Sequence, residues 1–240
     1  MTSLVTLIAL NPAHAASETV LANANRAAVQ ADLDNLCQVS EPNTLRFPAG
    51  SILIEGGIGL RYPNPDNPAC LTNPGDLTIF GDTNQGSEII VGDSGGVATD
   101  LFTFGANLQV EIRDISIRGL QFGDAGTEGL DPFDLDADGE DEVVYTQCAG
   151  VAADSPTRGI HVDNSDATAP SQYTELFLDN VDMRCLFAQG DGGAVLMEGG
   201  AVHVTNSRFV GNDASGSGGA IAVTHAGSAD RFDVDPTVAT

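Results

Sequence analysis

The chain has 240 residues, with 34 acidic side chains against nine basic ones and a net charge of −25. All nine basic residues are Arg, so the chain repels phosphate backbones and anionic surfaces, which argues against nucleic acid and membrane insertion as partners. Gly is abundant at 28 residues, aromatics make up 5% and Trp is absent, a composition that suits thin stacked sheets lined by Val, Ile, Leu and Ala better than a large globular centre.

In chain order, the first feature is an apolar run, Leu4 to Leu10, followed by Ala13-His14-Ala15. The run is too short to span a bilayer, and the A-x-A triplet reads as a cleavage site. Residues 1–15 are therefore expected to be a signal peptide, and the mature chain to be secreted, extracellular or displayed at a cell surface. Glu18 to Cys37 is the one helix the pattern predicts, with Val20, Leu21, Ala24, Ala28, Leu33 and Leu36 on one face. It sits in residues 16–42.

From Thr44 the pattern changes to short β-rich runs broken by Gly, Asn and Asp. Leu45–Phe47, Ser51–Ile54, Leu77–Phe80, Glu88–Val91 and Gln109–Ile112 are each strand-sized and bounded by turn residues. An internal repeat orders them. Leu176–Met183 aligns with Val202–Phe209, and Gly192–Val195 aligns with Gly218–Ile221, at a constant offset of 26 residues without a gap. Asn180 meets Asn206 in this alignment, and Val110–Ile117 is an earlier copy with Asp114 in the Asn place.

One repeat cannot bury its inward face alone, but stacked repeats can. Ile112, Leu178 and Val204 are expected to form one inward column, and Ile160, Val195 and Ile221 another. Gly159, Ala194 and Ala220 precede the second column and fit a tight corner. Asn180 over Asn206 is the arrangement of an amide ladder. The expected fold class is all-β, a right-handed parallel β-helix over residues 43–229, with an N-terminal capping helix, an insertion at 123–157 and a polar tail at 230–240.

Two stretches carry a family resemblance. Gly192–Ile221, with GGA[ILV] and Phe209-Val-Gly-Asn212 as FxxN, resembles the repeat of chlamydial-type polymorphic outer membrane proteins. Met183-Arg-Cys-Leu186 departs from FxxN one repeat earlier. Ala27–Ile54, containing Phe47-Pro-Ala-Gly50, and then Asp76–Asp82 are similar to the entry segment of pectate-lyase-like proteins. The first resemblance implies surface display. The second implies that the helix caps the open end of the solenoid, where apolar side chains and a strand edge would otherwise be bare. The C-terminal coil shows no cap, so self-association through it is an expectation, as is a longer parent chain.

The four cysteines, Cys37, Cys70, Cys148 and Cys185, form no CxxC or Cys/His cluster, and their even number fits two disulfides in an oxidising compartment. Three connectivities exist; Cys37–Cys70 with Cys148–Cys185 closes the most local loops. Asp134, Asp136 and Asp138, then Gly139, Glu140 and Glu142, match a calcium loop in which alternate oxygens wrap one hard cation. Position 12 is Tyr145 where an EF-hand has Glu, so a structural calcium staple of the DxDxDG type is expected.

For catalysis the signals are thinner. Lyases of this fold, as the resemblance implies, use a Lys or Arg base; the chain has no Lys, and Arg118, Arg158 and Arg184 hold their protons too tightly. Asp163, Asp179, Asp182 and Asp191 are candidates for a hydrolytic carboxylate pair. His161, His203 and His225 read as outward-facing surface residues. The expected function is an adhesin-type binding or structural module with a cell-surface or glycan ligand. A polysaccharide-active enzyme and a subunit that assembles end to end are the alternatives.

Overall fold

A computed structural model of the chain describes residues 17–20, 25–54, 59–71, 74–91, 99–119, 157–167, 169–224 and 231–234. The architecture is mostly β, with one helix. Every strand pair among the described residues is parallel.

The largest sheet has ten strands. Its main path runs β1 (Ser17–Val20), β2 (Asn43–Arg46), β5 (Leu77–Phe80), β8 (Gln109–Gly119), β10 (Glu175–Arg184), β13 (Ala201–Thr205) and β17 (Arg231–Val234). The second halves of the long strands β8 and β10 pair with other partners: β3 (Gly50–Ile54) pairs with β6 (Ser87–Val91), β6 with β8, and β14 (Arg208–Val210) with β10. A five-stranded sheet runs β4 (Leu60–Tyr62), β7 (Thr99–Phe104), β9 (Thr157–Val162), β12 (Val195–Met197) and β16 (Ile221–Val223). A two-stranded sheet joins β11 (Phe187–Ala188) to β15 (Asp213–Ala214).

The expected columns are present residue for residue. Leu178 pairs with Ile112 on one side and Val204 on the other, and all three are buried. Val195 pairs with Ile160 and Ile221 in the same way. Between the two halves of the long strands the backbone turns through the left-handed region at Asp114 (φ 56°), Asn180 (φ 54°) and Asn206 (φ 50°). Asn and Asp tolerate this conformation best after Gly. The turn breaks the alternation along β8, which buries Val110 and Ile112 before it and Ile115 and Ile117 after it.

The expected amide ladder of Asn180 over Asn206 does not form. Asn180 Nδ2 donates to Asp114 Oδ1 at 2.9 Å, but Asn206 Nδ2 donates to Asp179 Oδ1 at 3.0 Å and not to Asn180. The corner before the second column also differs from expectation. Gly192 and Gly218 carry the left-handed φ, 67° at both. A side chain on either would strike the carbonyl of Val195 or Ile221. Gly159 is needed for space instead, because a Cβ there would crowd the Ala194 carbonyl as well as the Met183 methyl.

The FxxN segment explains itself in the same terms. Phe209 is buried and pairs with Met183. Asn212 accepts from Leu186 N–H at 3.1 Å and donates to Met183 O at 2.9 Å, which satisfies the backbone of the preceding turn.

The helix is shorter than its pattern. α1 spans Arg26–Leu36, while Glu18 to Val20, expected as helical, lie in β1 and pair with β2. The helix starts at its cap: the Asn25 side-chain oxygen accepts from Ala28 N–H at 2.9 Å. Val29, Leu33 and Leu36 are buried, and α1 packs against β2 and β4. Cys37 at its end is bonded to Cys70, as expected. Cys185 is also disulfide-bonded; Cys148 lies outside the described residues. No helix among the described residues is long and apolar enough to cross a membrane.

Candidate functional site

The strands of the five-stranded sheet return to the ten-stranded sheet through connections of very unequal length. Residues 63–76 follow β4, only 105–108 follow β7, residues 163–174 follow β9, and only 198–200 follow β12. A short corner between two long ones leaves a cleft of about 610 Å³. Arg61, Pro63 and Pro65 line one wall; Asp163, Asp166, Ala167 and Gln172 line the other. Gly105, Ala106 and Asn107 form the low corner between them, and Asp100, Thr103 and His161 come from the sheet itself.

Both walls are tied to the frame. Asn164 Nδ2 donates to Gly199 O at 2.9 Å, and its Oδ1 accepts from Thr174 N–H at 2.9 Å. Thr174 Oγ1 donates to Gly105 O at 2.6 Å and accepts from Leu108 N–H at 3.1 Å. On the other side Tyr62 is buried; its hydroxyl donates to Gly75 O at 2.7 Å and accepts from Asn43 Nδ2 at 2.8 Å. Burial, chiefly, pushes the Tyr62 phenol up to about 12. It stays a neutral donor at any physiological pH.

Behind the cleft lies a charged cluster that spans three neighbouring strands. Arg158, 8% exposed, donates to Asp100 Oδ1 at 2.7 Å, to Gly192 O at 2.9 Å and to Asp191 O at 3.0 Å. The other oxygen of Asp100 meets His161 Nδ1 at 3.0 Å. His161 Nε2 is 3.4 Å from Glu198 Oε1, close enough for charge attraction but without the direction of a hydrogen bond, and the nitrogen is buried. Burial alone would lower the His161 pKa; the bond and charge of Asp100, helped by Glu198, outweigh it and the Arg158 charge, so the net shift is upward. The imidazole thus lies between two carboxylates that favour its protonated form. With Nδ1 engaged by Asp100 and Nε2 buried, neither ring nitrogen is offered to the cleft as a base.

The four candidate aspartates do not assemble. Asp163 alone lines the cleft. Burial would raise its pKa, but hydrogen bonds from Ser165 and the nearby His161 and Arg61 charges hold it below the usual carboxylate range. Asp179 accepts from Thr205 Oγ1 at 2.7 Å and from Asn206, which hold it low as well. Asp182 pairs with Arg184 on its own strand. Asp191 Oδ1 accepts from Ser217 N–H at 2.6 Å.

Of the other candidates, Arg118 pairs with Glu88 at 2.9 Å, and His203 stacks on Phe177 with ring centroids 4.5 Å apart. His161 is directed outward as alternation predicts, but into the charged cluster and not into open solvent. Asp134, Asp136, Asp138, Glu140, Glu142 and His225 lie outside the described residues. Asp34, Cys37 and Cys70 lie close together, yet both sulfurs are spent in the disulfide and offer no thiolate to a metal. Asp100, Glu198 and Asp166 were not legible as site residues, since none stands in a motif. Their role comes from pairing between segments far apart in sequence. No known protein family, curated protein or solved structure matches the chain.

Proposed function

We propose that the chain is an extracellular parallel β-helix that acts as a binding module and takes a saccharide in the cleft between Pro63 and Ala167. The repeat of 26 residues and the parallel registers support the β-helix; stacked solenoids present extended binding surfaces. The observation that carries the binding role is the cleft over the short corner at 105–108. Its 610 Å³ falls within the roughly 300–1,000 Å³ of small-ligand sites. Its lining mixes apolar patches (Pro63, Pro65, Ala106, Ala167) with planar polar groups (Asn107, Gln172, Asp163), the mixture that suits a sugar with one C–H face and many hydroxyls.

The chemistry favours binding over cleavage. Hydrolysis needs a general acid with a raised pKa, whereas Asp163 is held low and Asp100 is committed to Arg158 and His161. A calcium ion on the loop Asp134–Glu142 belongs to the same proposal and rests on the sequence motif alone. It predicts a lower melting temperature in chelator, and an unchanged one would remove it.

The test of the cleft is Ala106→Trp, which fills the low corner. A glycan array and titration calorimetry should show binding to the wild-type chain and at least tenfold weaker binding to the variant, with the melting temperature unchanged. Equal binding by both would place the ligand elsewhere.

A further inference from the structure

We infer that the cleft selects saccharides carrying a free amino group and turns away uronates. This rests on the reading of the cleft as a saccharide site and adds its charge preference. The positive groups near the cleft are already committed. Arg158 and His161 engage Asp100 at 2.7 and 3.0 Å, and Glu198 lies 3.4 Å from the other nitrogen of His161. Arg61 faces Asp66 at 3.5 Å.

Two carboxylates on the opposite wall, Asp163 and Asp166, have no ion pair among the described residues. Asp163 accepts from Ser165 N–H at 2.9 Å and feels the charges of His161 and Arg61, but neither comes within ion-pair distance of it. Among the described residues nothing pairs with the Asp166 carboxylate, which is exposed beside it. The cleft therefore presents unbalanced negative charge, backed by a chain of net charge −25. A uronate would meet repulsion from both sources. An ammonium on the sugar would meet two carboxylates that form no ion pair, next to apolar surfaces able to seat the ring.

Exposed charge pairs each change affinity by about 1.5- to 5-fold. A glucosamine oligosaccharide should therefore bind about three- to tenfold more tightly than its N-acetylated counterpart at low salt. The margin should shrink at high salt, where exposed charges are screened. An oligogalacturonate of equal length should bind at least tenfold more weakly than either.

Titration calorimetry with these three oligosaccharides, on the wild-type chain and on D163N/D166N, decides the matter. Asn keeps the oxygen that accepts from Ser165, so the wall should survive the change, and a melting curve checks it. The expected result is the stated order for the wild type and near parity of the amine and acetamide forms for the variant. Uronate binding as tight as that of the amine, or an amine preference that persists in D163N/D166N, overturns the charge selection while leaving the cleft as a sugar site. No binding of any of the three removes the saccharide reading and this inference with it.

Discussion

The stretch from Glu175 to Val223 and the stretch from Leu60 to Tyr173 use the same parallel pairing but differ in how strands are joined. In the first, strands repeat every 26 residues and the corner after β12 is only residues 198–200. In the second, corner lengths vary, and the pairing of β7 with β9 spans Phe102 to Ile160. The core is continuous across both, with Phe102, Ile160 and Val195 buried in one column. Regular spacing builds the frame; unequal corners make the concave surface. The charged cluster sits at the boundary, where Glu198 of the regular stretch reaches His161 of the irregular one.

The largest break in this comparison should come from Arg158. Arg158→Met leaves the Asp100 carboxylate without its strongest partner and two backbone carbonyls without a donor. Removing one member of a buried pair costs about 3–5 kcal/mol. Denaturant unfolding should register a loss in that range, and saccharide binding should weaken with it. A loss under about 1 kcal/mol would mean that Asp100 is adequately solvated and the cluster is not a structural pin.

Next in size is the disulfide. Cys37–Cys70 ties the connection 63–76, one wall of the cleft, to the end of α1. C37A/C70A should lower stability by about 2–5 kcal/mol. If the irregular stretch depends on such staples more than the regular one, proteolysis of the double variant should begin within residues 63–76. First cuts within Glu175–Val223 would reverse the comparison.

The two stretches also differ in how far they could be read from sequence. The columns Ile112–Leu178–Val204 and Ile160–Val195–Ile221 were legible because the gapless repeat aligns the last two members of each and the same alternation around them marks the earlier copies at Ile112 and Ile160. The left-handed turn was half legible: Asp114, Asn180 and Asn206 were aligned, but the partner of Asn206 is a side chain one residue before the column. Strand β7, Thr99–Phe104, was not recognised, since it follows a Gly-rich stretch and its partners, β4 at Leu60 and β9 at Thr157, lie far off in sequence on either side. The start of α1 was misplaced because apolar spacing continues upstream of Asn25, where only the cap interaction marks the first turn. The cleft was illegible for a general reason. It depends on differences among corner lengths, which no single segment displays.

A smaller effect tests the regular frame itself. A non-Gly residue without a short polar side chain pays roughly 1–2 kcal/mol in the left-handed conformation. Asn180→Ala should lose about that much, including the bond to Asp114, whereas Asn180→Gly should lose less because Gly adopts this φ freely. Equal losses for both would assign the cost to the hydrogen bond and not to the backbone.

The smallest expected effect is a pH dependence that joins the two stretches. The folded chain raises the His161 pKa above its unfolded value of about 6.5, so protonation favours the folded state. The stabilisation is fully present below about pH 6.5 and is lost as pH rises through the folded value. Above that value a neutral ring keeps one carboxylate partner at best, and Glu198 faces a lone pair. The many other carboxylates also titrate, so the difference between the wild type and His161→Gln is the quantity to measure. Their melting temperatures should differ most below pH 6.5 and converge at higher pH, with an NMR titration of the ring locating the midpoint. A constant difference across this range, or a ring that titrates below its ordinary value, would show that burial outweighs Asp100 and Glu198. The cluster would then be a neutral hydrogen-bonded spacer, not a cation clamped across the two parts of the sheet.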